Sequence, residues 1–204
     1  VLSTCTDEYT VYLPKTLTSL SAATTASKGG YQFRKTLVEH VVINDKLGSI
    51  GEYAFAETPL ESVTFGSNSL LRTIGQYAFT KCANLGPSVI LPDTVESIGA
   101  YAFNGCTSLI EVHLPQSDNA KYTTIQKYLF NGCTALEKIN IPTSVSKISS
   151  YAFKDCLSLK EIYIPLTVST VEEDAFVGCD SLIVFAQNTK APRNWEKGWD
   201  NSVN

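Results

Sequence analysis

The chain has 204 residues, of which 44% are hydrophobic and 18% charged, and it carries a formal net charge of −4. That is ordinary globular composition and excludes a disordered tail. With no basic run it offers no electrostatic footprint for nucleic acid or an anionic membrane, and no apolar run approaches the ~20 residues that cross a bilayer.

The chain opens at Val1, with neither Met nor a leader pattern, as a mature or excised segment does. Val11 and Leu13 then alternate around Tyr12, the period of two that marks a strand buried on one face. The same alternating pair returns as Val41/Ile43, Val63/Phe65, Val89/Leu91, Val112/Leu114, Ile139/Ile141 and Ile162/Ile164. These are seven short strands, and an eighth is expected near Ile183 to Phe185. Pro14, Pro92, Pro115, Pro142 and Pro165 directly follow their strands, where the missing N–H ends a ladder.

Between the strands lies a second recurring text. "YAFTKC" at 77–82, "YAFNGC" at 101–106, "YLFNGC" at 128–133 and "YAFKDC" at 151–156 are near copies, with "DAFVGC" at 174–179 a looser one. Phe33, Phe55, Phe79, Phe103, Phe130, Phe153 and Phe176 follow at intervals of 22, 24, 24, 27, 23 and 23 residues, a basic period of 23. Cys5 falls in the same register, nine residues before Pro14 as Cys156 is before Pro165, so the chain begins inside a coil. Departures from the period locate inserted loops near 22–30 and 116–124.

A unit of this length with one short strand cannot bury its apolar side alone, whereas stacked copies bury it continuously. The predicted architecture is a solenoid over residues 1–184 of seven to eight coils, with a parallel sheet along one side. The chain returns along the other side through short strands or 3₁₀/helical turns, with the Tyr, Phe and Cys of each copy filling the core behind the sheet. Residues 185–204 form a capping segment, in which Trp195 or Trp199 covers the last coil.

"IGAYAFNGCTSLIEVHLP" and "YAFKDCLSLKEIYIP" resemble the BspA-like (Treponema pallidum-type) class of leucine-rich repeats over nearly the whole chain. The coils from Phe33 and Phe55 depart from that pattern by lacking the Cys. The resemblance implies a curved parallel sheet on a concave face, an extracellular or cell-surface location, and a role in adhesion or interaction with other macromolecules. Fold by itself does not fix such a role.

Zinc sites use close cysteine pairs, and the nearest spacing here is 23 residues. Cysteines in register on coils ~4.8 Å apart fall within the range that a disulfide tolerates, so bridges between coils remain geometrically open beside the favoured reading of small buried hydrophobes. A nucleophilic Cys needs a base, yet the only histidines are His40 and His113, and strand alternation puts His113 on the solvent face. Glu172-Glu173-Asp174 reads as a solvated turn. No nucleophile elbow, phosphate loop or metalloprotease motif is present. No enzyme, cofactor or metal site is expected.

What remains is the outward face of the sheet. Its C-terminal half carries His113, Asn140 and Tyr163 between the buried pairs, with Glu111, Lys138 and Glu161 just before them. A flat, amphipathic His and Tyr among charges of both signs make a candidate interaction face for a protein or matrix macromolecule, carried by a monomer. The bland alternative is a solvated face on a structural spacer within a larger cell-envelope protein.

Overall fold

A computed structural model of the chain describes residues 10–20, 33–116, 121–187 and 195. The expected insertion at 22–30 lies outside these residues, as do residues 117–120 of the second insertion, Cys5 and Trp199. The described residues form a parallel β-solenoid without helices.

One side carries the longer strands, stacked in chain order in three hydrogen-bonded groups: Thr10–Tyr12, His40–Ile43 and Ser62–Phe65; Ser88–Ile90, Glu111–His113 and Lys138–Ile139; Glu161–Ile164 and Ile183–Ala186. The first seven are the strands expected from the alternating pairs, and the eighth runs two residues past 184. The register is strictly coil to coil: Val41 faces Val11 and Val63, Val112 faces Val89 and Ile139, and Ile162 faces Val184. Inward side chains therefore form continuous apolar columns, and each outward residue has an outward residue beside it.

The return side resolves the choice that the sequence left open. Seven two-residue strands line it in two parallel sheets, Ser19–Leu20, Ser49–Ile50, Thr73–Ile74 and Ser97–Ile98 in one, Thr124–Ile125, Lys147–Ile148 and Thr170–Val171 in the other. The repeated Tyr-x-Phe text makes turns rather than helix, for a reason visible in its hydrogen bonds. Phe79 and Lys81 donate their N–H groups to Ala102 and Asn104 of the next coil, while Thr80 and Cys82 donate to Tyr77 and Phe79 three residues back. Alternate amides are committed to a neighbouring coil, so no run of intrahelical bonds can propagate.

Phe33 and the six phenylalanines that follow it form one stack through the core, with ring centroids 5.2–5.7 Å apart. The tyrosines differ from expectation. Tyr53, Tyr77, Tyr101, Tyr128 and Tyr151 are half-buried and stack on one another at 4.6–4.8 Å, outside the core, with φ between 55 and 60°. That left-handed conformation costs a non-glycine residue on the order of 1–2 kcal/mol. Stacking on each side contributes about 0.5–1.5 kcal/mol and offsets it.

The five described cysteines, at 82, 106, 133, 156 and 179, are free and buried. Each thiol donates to the carbonyl of a phenylalanine one coil back, over 3.0–3.3 Å. The two coils without Cys keep a donor at that position, since Thr36 and Thr58 bond the carbonyls of Phe33 and Phe55. At the C-terminal end Trp195, 8% exposed, bridges Val171 in parallel and adds to the short-strand sheet.

Candidate functional site

The outward columns of the long-strand sheet are where the repeat places no packing demand. Glu111–His113, Lys138–Ile139 and Glu161–Ile164 lie on consecutive coils, and their outward side chains surround a surface groove of about 520 Å³. All six residues singled out in the sequence, Glu111, His113, Lys138, Asn140, Glu161 and Tyr163, line it. Glu137, Ser158 and Lys160, from the turns entering the strands, complete its rim.

Two of the strands carry an ordered pair on their exposed face. Within the first, His113 Nε2 lies 3.4 Å from Glu111 Oε1; within the third, the Tyr163 hydroxyl lies 3.4 Å from Glu161 Oε2. These residues alternate along a strand, so each pair shares a face. Asn140, on the middle strand, is half-buried, and its Oδ1 accepts the Leu114 N–H at 3.2 Å. In other coils the equivalent amides, Leu13 N and Leu91 N, donate to the backbone carbonyls of Val42 and His113. The Asn140 side chain thus substitutes for a ladder carbonyl and ends its strand at two residues.

Tyr163 is 63% exposed, and Phe185 on the last strand stacks against it, 4.8 Å between centroids. Phe185 was missed in the outward set. Cys156 stands seven residues before Tyr163, but Cys179 stands six before Phe185, because the last coil is one residue shorter between its Leu and its strand. The pairing of Tyr163 with Phe185 would have exposed it, since a shift of one residue exchanges the two faces of a strand.

Among the described residues the alternative centres do not assemble. Burial pushes four thiols up, Cys82 to about 11, Cys133 to about 12, and Cys106 and Cys156 well above the usual value, so these stay protonated at neutral pH, whereas the Cys156 thiol beside Cys179 lowers the latter. Cys106 is buried and His113 exposed on the far side of the sheet. Glu172 is no free turn residue: half-buried, it pairs with Lys147 at 2.5 Å and accepts from Ser150 N and Oγ. No group of His, Cys, Asp or Glu among the described residues could hold a metal ion, and no described helix is long and apolar enough to cross a membrane.

The family profile described as BspA type leucine rich repeat region matches residues 26–119 and 72–191, with six copies of the repeat. The chain belongs to this family. Among solved structures, this BspA-type chain is similar to the T. pallidum leucine-rich repeat protein, with 25% identity and a TM-score of 0.57 over 92% of this chain and 79% of that one. A leucine-rich repeat protein from Bacteroides ovatus aligns over 95% of this chain and 61% of its own, at 22% identity and a TM-score of 0.55, a likeness of fold alone. No curated protein matches the sequence. The BspA-type repeat accounts for the inward columns; the groove is lined by side chains that differ from coil to coil.

Proposed function

We propose that the protein is a non-catalytic binding module, a cell-surface or secreted adhesion protein whose long-strand sheet holds a protein or matrix macromolecule. The observation that carries this reading is the convergence of Glu111, His113, Lys138, Asn140, Glu161 and Tyr163 on one groove, beside an exposed aromatic pair. Tyr is enriched among residues that dominate binding energy, and mixed charges at the rim set orientation and partner choice. Membership of a leucine-rich repeat family, whose members are in general protein-interaction modules, supports the same reading. The extracellular location rests on that family alone.

The test is binding of the chain to an immobilised basement-membrane extract. His113→Ala and Tyr163→Ala together are expected to weaken retention by roughly ten-fold or more, with a melting temperature within about 2–4 °C of the parent. Undiminished binding by the double variant would remove this face from the function. A parent chain that binds nothing would favour the spacer role.

A further inference from the structure

We propose that the notch between His113 and Tyr163 is a subsite for one neutral sugar ring of a glycan. The inference rests on the reading of this face as the binding surface and adds the chemistry of its ligand.

The notch follows from side-chain lengths in register. His113, Asn140 and Tyr163 occupy equivalent outward positions on three consecutive coils. His113 and Tyr163 stand two coils apart with the shorter amide of Asn140 on the coil between them, so at the ~4.8 Å coil spacing their strands lie about 10 Å apart. Phe185 covers one face of Tyr163, which leaves the opposite face toward the groove that Tyr163 lines. Asn140 is pinned by its Oδ1 to Leu114 N. Its Nδ2 keeps two donors without a partner among the described residues.

Charge decides what the notch prefers. Glu111, Lys138 and Glu161 run side by side on the same three coils, so acceptor, donor and acceptor alternate along the groove. Neither sign predominates strongly enough to concentrate a polyanion or a cationic segment. A hydroxyl both donates and accepts, and adjacent hydroxyls on a sugar ring can satisfy a carboxylate and an ammonium in turn. The apolar C–H face of the same ring matches the exposed face of Tyr163, whose ring is apolar in body and polar at its tip. An extended peptide is the poorer occupant: the groove floor is the face of a sheet, not its edge, and offers no backbone ladder to join.

The experiment titrates the whole chain with three neutral oligosaccharides, maltotetraose, mannotetraose and cellotetraose, following backbone amide shifts by NMR. At least one is expected to bind at millimolar concentration or below and to move the amides around Asn140 and Tyr163. Tyr163→Ala and Asn140→Asp should each weaken that binding by roughly ten-fold. The Asp keeps the acceptor for Leu114 N and removes the Nδ2 donors, so a melting temperature near the parent's separates lost recognition from lost folding. If none of the three moves these amides, or if both variants bind like the parent, the sugar inference is overturned.

A second arm distinguishes this failure from failure of the binding face. Basement-membrane extract is immobilised after periodate treatment, which destroys vicinal diols, or after protease. Binding lost to periodate and kept after protease supports the glycan. Binding lost to protease and indifferent to periodate refutes the glycan while preserving the face as a protein-binding surface. Absence of binding to untreated extract, together with silence in the oligosaccharide titration, refutes both.

Discussion

Replacing Cys133 with Ala tests whether the cysteine column is packing material. Cys133 is 0% exposed, and its thiol donates to the Phe103 carbonyl at 3.1 Å. Deleting a buried group of about methylene size costs ~0.8 kcal/mol in transfer free energy, with more for any cavity that the stacked coils cannot close. The lost hydrogen bond falls at the low end of the usual ~0.5–1.5 kcal/mol, because a thiol is a weak donor. The Phe103 carbonyl also keeps the Cys106 N–H at 3.3 Å, so no acceptor is orphaned. Together these give a destabilisation of about 1.5–2 kcal/mol, measured by urea unfolding at pH 7. The parent should also hide its buried thiols from a thiol reagent until urea is added. A change below ~0.5 kcal/mol, the scale of an ordinary surface substitution, or prompt reaction of those thiols in the native protein, would refute the reasoning.

Alkaline pH reads the same thiols from the other side. Burial raises Cys82 from 9.0 to about 11 and Cys133 from 9.0 to about 12, so the unfolded chain releases these protons first as pH rises. Their contribution is therefore whole below pH ~9 and falls by up to roughly 1.4 kcal/mol per thiol per pH unit until each folded value is reached. Urea midpoints at pH 8 and 10 should diverge less in Cys133→Ala than in the parent. Gly99→Ala should cost about 2–3 kcal/mol, because a Cβ there would lie 2.4 Å from the backbone nitrogen of Gln76 in the preceding coil. Gly48→Ala, with its nearest atom at 3.5 Å, is the control expected to change unfolding little. Tyr122→Phe should leave the melting temperature unchanged or raise it, since its hydroxyl is buried without a hydrogen-bond partner among the described residues and removing it relieves up to roughly 1–3 kcal/mol of desolvation.

Legibility followed the repeat. Phe103, Cys106 and Val112 could be placed in the core from the sequence because each has counterparts at the same offset in other coils, and one phase serves all of them. Local exceptions were harder to see. Tyr101 shares the repeat's period but not its buried environment, because period reports register and says nothing of the left-handed backbone that turns the ring out of the core. Asn140 was assigned to the outward face correctly, yet its bond to Leu114 N depends on a side chain imitating a backbone carbonyl, which no spacing announces. Phe185 was hidden by a single missing residue. Thr36 and Thr58 looked like lapses of the Cys pattern, although both place a hydrogen-bond donor there, aimed at the phenylalanine carbonyl of their own coil.

The groove can vary without unfolding the protein because of the same nearest-neighbour architecture. Each coil meets only the coil before and the coil after, so a side chain on the outward face is coupled to at most two others in its column. For Tyr163 the visible couplings are the stack on Phe185 and the contact of its hydroxyl with Glu161, both exposed. Removing the ring forfeits about 0.5–1.5 kcal/mol of stacking and no core volume. A buried residue such as Phe103 is stacked on both sides, between Phe79 and Phe130, and its truncation costs roughly 3–5 kcal/mol. Outward residues on the sheet face can therefore change at a stability cost below that of one core truncation. Should Tyr163→Ala unfold the chain as readily as Phe103→Ala, the separation of inward and outward columns would be wrong, and Tyr163 would belong to the scaffold instead of the site.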